Sequence, residues 1–158
     1  MSEASAKVPL IFADSNVFIQ ALVVVDSAAS IVIRMADAGQ FAIVTSASVK
    51  GEVERALAGK TQHNAIERDK VFQRWNTIVS TLNLTVHDDP AADAVRACYN
   101  TYLPLMRHRN DIPVLAAALD CKPDYILSGN REHFNDAVSK RCGIPIFSCS
   151  EFIEFVVG

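Results

Sequence analysis

The sequence has no apolar run of membrane-spanning length. Its longest runs, Ala21 to Val25 and Val114 to Leu119, fall far short of the roughly 20 residues that a helical span requires. The start of the chain carries Glu3 rather than a basic segment with a long apolar stretch behind it, so no secretory signal is expected and the expected home is the cytoplasm. A C-x-x-C pair is also lacking. Cys98, Cys121, Cys142 and Cys149 are scattered, and the one close pair has no histidine at metal-ligand distance. Buried or half-buried thiols are therefore expected, not zinc ligands or disulfides. Nor is there any excess of positive charge. At a net charge of −3 no global field advertises nucleic-acid binding, although a local basic patch suffices for that, and a carboxylate-rich metal site itself makes the count acidic.

What is present is the composition of a soluble globular domain. Half of the 158 residues are apolar, enough for a single domain spanning 1–158 to bury a core without disulfides or a structural metal. Neither repeats nor low-complexity tracts nor linkers interrupt it. The stretch Leu10-Ile11-Phe12-Ala13-Asp14-Ser15-Asn16-Val17-Phe18 organises the rest: a short apolar run ends abruptly in an acid, a hydroxyl and an amide before helical spacing begins. It reads as the first strand of a parallel sheet, with Asp14 delivered to the sheet's carboxyl edge, where ligands bind in open α/β folds.

The order of the remaining elements supports that reading. Further strands are expected at Phe41 to Thr45, Leu84 to His87, Tyr125 to Leu127 and Ile144 to Phe147. Between them lie helical segments: Val17 to Leu22, Ser27 to Ala38 stopped by Gly39, a helix reaching Ala58 stopped by Gly59, and Asn64 to Thr81. A helix capped by Asp88-Asp89-Pro90 is expected through Ala97 or Tyr99, the most apolar helix through Leu119, a short one from Asp136 to Lys140 and a last one from Ser150. Strands alternating with helices predict an α/β fold, a central parallel sheet with helices on both faces.

Four polar positions fall at strand ends or at the starts and flanks of helices near them: Asp14, Glu52, Asp111 and Asn130. Each has an ordinary structural explanation. Asp14 and Asp111 fit N-caps, Asn130 follows a glycine in a turn, and Glu52 fits a solvated helix position. Together they suggest convergence on one edge. On a helix turning about 100° per residue, Glu52 lies near the rim of the arc formed by Val49, Val53, Ala56 and Leu57, whereas Glu54 points further toward solvent. Clustered carboxylates repel one another until a divalent cation neutralises them. Oxygen-only ligands suit Mg²⁺ or Mn²⁺, and such an ion polarises a phosphodiester and acidifies a bound water.

Ile11 to Phe18 resembles the opening motif of PIN-domain nucleases, and the likeness continues in order. Thr45 to Glu52 is similar to the family's second motif, Asp111 to Leu119 to the third and Asp124 to Phe134 to the fourth. The resemblance implies a PIN-like three-layer α/β/α domain and a metal-dependent endoribonuclease, in which a water activated by Mg²⁺ or Mn²⁺ attacks phosphorus in line and leaves a 3′-hydroxyl and a 5′-phosphate. By that likeness Asp14, Glu52 and Asp111 would hold the metal, Asn130 would complete the catalytic set, and Ser15 and Ser128 would orient carboxylates or waters. Asn16 would brace the loop. Asn130 departs from the acid often found there, weakening the case for a second metal, with Glu132 as a possible substitute or an exposed loop acid.

RNA would meet this acidic edge through cations. Arg107, His108 and Arg109 precede Asp111, and Arg131 and His133 flank Asn130; each is a phosphate contact or a solvated loop charge. Lys60, Arg68, Lys70 and Arg74 offer a second basic face. Many small members of the family are VapC-type toxins, dimeric and inhibited by a small antitoxin whose tail covers the active site, and the chain's size suits that role or a stand-alone RNA-processing nuclease. Ala21 to Val25 is then an interface or simply core. Two other strand-end aspartate enzymes fit less well: a haloacid dehalogenase-type phosphatase needs an acid where Asn16 stands, and a receiver domain needs an acidic pair and a lysine that cannot be placed. A catalytically weakened RNA- or protein-binding module is the alternative that Asn130 keeps open.

Overall fold

The computed structural model describes residues 7–82, 84–106 and 108–158; Glu3 and Arg107 lie outside them. Five short apolar runs form strands at the expected places: β1 (Leu10–Ala13), β2 (Ala42–Ser46), β3 (Leu84–His87), β4 (Tyr125–Leu127) and β5 (Ile146–Phe147). All pairings are parallel, in the order β3-β2-β1-β4-β5. The central strand is covered on both faces, so Ile11, Phe12 and Ala13 are all fully buried and show no alternation. At the edge, β3 alternates between half-buried and exposed residues.

Helices α1 (Ser15–Val23), α2 (Ala28–Asp37), α3 (Ala47–Lys60) and α4 (Ala65–Thr81) precede β3 in sequence apart from the intervening β2. Beyond β3 come α5 (Ala92–Tyr102), α6 (Ile112–Cys121), α7 (Asp136–Cys142) and α8 (Cys149–Val157). Helix α1 packs on α2, α3 and α4, whereas α5 packs on α6 and α6 on β2, completing a three-layer α/β/α domain. Trp75 of α4 is fully buried and meets Phe18 of α1 edge-on, with ring centroids 5.3 Å apart.

Several boundaries depart from the expectation for local reasons. Gly59 does not stop α3, because no left-handed residue follows it; the helix runs on to Lys60 and is capped by Thr61, whose amide and hydroxyl both donate to the Leu57 carbonyl. Asp88-Asp89-Pro90 does not cap α5, which begins at Ala92 without a side-chain cap. Asp89 instead accepts hydrogen bonds from the Ser48 amide (2.9 Å) and hydroxyl (2.6 Å) at the start of α3. Helix α5 continues to Tyr102 because Cys98 and Tyr102 are both buried. The last helix opens one residue early, on a reciprocal pair of cap bonds between Ser148 and Glu151. Within Ala21 to Val25 only Leu22 is buried, and Val23, Val24 and Val25 are exposed. The core explanation therefore covers only part of that run.

One buried bond ties the sheet together at its carboxyl end. Thr45 is fully buried and its hydroxyl donates to the Ala13 carbonyl at 2.8 Å. The near-isosteric Thr45→Val removes that donor and should cost about 1–2 kcal/mol in urea denaturation.

Candidate metal centre at the carboxyl end of the sheet

Topology decides where the site forms. Strands β1, β2 and β3 succeed one another in one direction across the sheet, and β4 and β5 lie on the other side of β1. The chain therefore changes direction between β1 and β4, which opens a crevice there. Ala13 pairs with Leu127, and the Asp14 amide donates to the Leu127 carbonyl at 3.0 Å, so Asp14 and Ser128 leave the sheet side by side.

Asp14 is the best-held side chain of the group and is 6% exposed. One carboxylate oxygen accepts from the Ser15 amide at 2.7 Å; the other accepts from the Ser128 hydroxyl at 2.9 Å and from Asn16 Nδ2 at 3.4 Å. These bonds favour the ionised form, yet burial outweighs them, and the charges of Glu52 and Asp111 push the same way, raising Asp14 to a pKa of about 6. Glu52 and Asp111, from two other segments, thus lie near enough to act on Asp14.

The loop after β4 is pinned by two further bonds. Asn16 Oδ1 accepts from the Gly129 amide at 2.7 Å, and Ser128 Oγ accepts from the Asn130 amide at 3.1 Å. Gly129 is needed here for space, since an added Cβ would stand 3.2 Å from both Cγ and Oδ1 of Asn16. Gly129→Ala should displace Asn16, loosen the bracing of Asp14 and cost on the order of 1 kcal/mol of stability. Melting curves measured alongside the position of Asn16 in a crystal of the variant would check this.

Glu52 is exposed on α3, while Glu54 is the more sheltered acid, which corrects the expectation that Glu54 faces solvent. Glu54 is occupied structurally: it pairs with Lys50 at 2.8 Å and accepts from Trp75 Nε1 at 3.0 Å, and these bonds lower its pKa despite its burial. Asp111 ends a 3₁₀ turn (Arg109–Asp111) and stands at the N-cap of α6, but makes no cap bond. Its carboxylate meets His133 Nδ1 at 2.5 Å, so the capping explanation for Asp111 does not hold.

The cations divide. His108 and Arg109 are exposed beside Asp111, and Tyr99 anchors their loop by donating to the Arg109 carbonyl at 3.1 Å. The guanidinium of Arg131 is instead engaged by Glu151 (3.0 Å), Asp136 (2.8 Å) and the Phe134 carbonyl. Arg131 thus braces its own loop against α7 and α8, where a phosphate contact or a solvated loop charge had been expected. Glu132 is exposed. His133 was anticipated only as a flanking cation, and its position three residues after Asn130 was the sole hint that it would reach Asp111.

The donor set is oxygen-rich and suits a hard cation that retains water. Among the described residues no three carboxylate, imidazole or thiol groups stand close enough together to hold a metal ion by themselves. A parallel α/β/α domain with Asp14 at the carboxyl end of its central strand, and with Glu52 and Asp111 near enough to act on it, defines the class: an α/β protein with an acidic site at the strand edge. The PIN domain profile matches residues 11–132, and the chain belongs to the PIN-domain family, whose members are generally nucleases and typically depend on divalent metal.

Solved structures agree on the fold. The crystal structure of VapBC2 from Rickettsia felis bound to a DNA fragment from their promoter is similar over 88% of this chain and 97% of the other, with a TM-score of 0.62 at 12% identity. That of FitAcB from Neisseria gonorrhoeae is similar over 89% and 98%, with a TM-score of 0.65 at 14% identity. No curated protein matches the chain by sequence.

Proposed function

We propose that the protein is an endoribonuclease that hydrolyses RNA phosphodiesters with the help of Mg²⁺ or Mn²⁺. The observation that supports this best is the buried Asp14 carboxyl, raised toward neutrality by its desolvation and by two neighbouring acids. A divalent cation would relieve that repulsion, and when bound it would supply the Lewis acidity that acidifies a water and offsets charge on the departing oxygen.

Asp14, Glu52 and Asp111 would hold the cation, in part through its waters, and one of them would take the proton of the attacking water. Ser15, Asn16 and Ser128 fix Asp14 and so set the direction of its lone pairs. Asn130 would offer an uncharged oxygen, which favours one metal over two. Exposed His108 and Arg109, with Arg107, would meet phosphates on either side of the scissile one. The product ends would be a 3′-hydroxyl and a 5′-phosphate.

A small antitoxin is the proposed partner, and a second copy of the chain the proposed assembly. The two-component names VapBC2 and FitAcB support the former. A groove beside the site, lined by Val17, Val24, Ala28 and Ala29 together with Asn16, Asn130, a glutamine and three serines, exposes mostly apolar surface and suits a peptide segment better than a phosphate backbone. The exposed Val23, Val24 and Val25 suit an interface of either kind. The proposed location is the cytoplasm.

Incubating end-labelled RNA with metal-depleted protein, then adding Mn²⁺, tests the activity. Cleavage only with metal and the stated product ends support it; cleavage undiminished in excess chelator overturns it. RNA bound but uncut would instead favour the binding-module reading that the uncharged Asn130 raises.

A further inference from the structure

His133 occupies a position that the reaction as described does not use. Its ring sits 15% exposed on the turn after β4, held because the His133 and Phe134 amides both donate to the Asn130 carbonyl, at 3.2 and 3.0 Å. From there Nδ1 reaches Asp111 Oδ2 at 2.5 Å and the Asn130 side-chain amide at 2.7 Å. One ring nitrogen thus joins the acid that opens α6 to the amide that ends the β4 loop. The His108 ring covers its face, with centroids 4.3 Å apart.

The hydrogen-bonding directions fix what this nitrogen does. An ionised carboxylate only accepts, so Nδ1 carries the hydrogen and donates to Asp111. Asn130 Nδ2 is placed against the same nitrogen, and the two contacts are compatible with that hydrogen only when the amide is turned so that its oxygen accepts there. Asp111 makes no cap bond to α6, so no capping bond fixes its rotamer. Without the imidazole its carboxylate would swing about χ1 and χ2, and the charge that acts on Asp14 would shift with it.

We infer that His133 is a positioning residue for the cation site: its Nδ1–H locks the Asp111 carboxylate in the orientation that serves a divalent ion shared with Asp14 and Glu52. The inference rests on the nuclease reading above and deepens it. It assigns to the imidazole the orienting duty that partners of ligating carboxylates perform, and the loss of such a partner typically weakens metal binding by about 10- to 100-fold.

Calorimetric titration with Mn²⁺ tests this without reference to RNA. His133→Phe keeps the ring and removes the donor, and should weaken Mn²⁺ binding by about 10- to 100-fold. In cleavage assays it should lower kcat and leave the KM for RNA near the wild-type value. His133→Asn puts an amide N–H two bonds from Cβ, where Nδ1 stood, and should restore most of the affinity; His133→Gln, one bond longer, should not. If His133→Phe does not fold, the Asn and Gln pair carries the comparison. Wild-type affinity in His133→Phe, or equal loss in the Asn and Gln variants, overturns the positioning role and leaves the nuclease reading intact. Absence of Mn²⁺ binding by the wild-type protein overturns both.

Discussion

Asp14→Asn and Asp111→Asn are each expected to reduce RNA cleavage by about a thousandfold with the fold retained. Each substitution keeps the shape and most hydrogen bonds but removes one negative charge from the site. Charge stabilisation by a catalytic cation is worth several kcal/mol, and each ~1.4 kcal/mol corresponds to a factor of ten in rate, which gives the size of the loss. Asp14 Oδ1 can still accept from Ser15 after the change to Asn, and the Ser128 hydroxyl can turn to accept where it had donated; only the long 3.4 Å contact from Asn16 Nδ2 is lost. Structural damage therefore does not account for the loss. Initial rates at saturating Mn²⁺, read together with circular dichroism, check the prediction; unchanged cleavage in both variants removes these residues from the site.

Much of this arrangement was readable before any coordinates. The strands were legible because a run such as Leu10 to Ala13 is too short and too apolar for a surface helix and ends in a polar break. Asp14 was legible for the same reason: an acid directly after such a run is carried to the carboxyl edge whatever follows. Boundaries depending on distant partners were not. Asp89 looked like the cap of the helix after it, but its carboxylate goes to Ser48, 41 positions earlier in the chain. Glu54 looked solvated because the residues on its own helix say nothing of Trp75, which arrives from α4. Arg131 looked free for substrate because Glu151 lies 20 positions ahead. His133 and Asp111 meet only because two loops pack together, and no periodicity in the sequence encodes a contact of that kind. Ser15, Asn16 and Ser128, which hold Asp14, were thus legible beside it, whereas His133, which holds Asp111, was not.

Those acids should also leave a mark on stability. Asp14 has its pKa raised from 3.8 to about 6 in the folded protein, mainly because it is buried. The folded state then holds this proton more tightly than the unfolded chain does, so stability falls with rising pH wherever the unfolded chain has already released it. The effect is absent below about pH 4, grows through the interval up to about pH 6 and is complete above it. At ~1.4 kcal/mol for each pH unit of that interval, the metal-free protein should lose up to about 3 kcal/mol. Glu54 and Glu151, both lowered, act with the opposite sign and at lower pH. Urea denaturation in chelator at pH 5 and pH 7.5 measures it, with Asp14→Asn expected to give a flat profile and to exceed the wild type in stability at the higher pH. Adding Mn²⁺ at pH 7.5 should reverse the order, because a ligand at about 1,000 times its Kd stabilises the wild type by about 4.1 kcal/mol and the variant hardly at all. Equal profiles for the two proteins in chelator would mean that Asp14 carries no such burden, and with it would go the physical reason for a cation at this edge of the sheet.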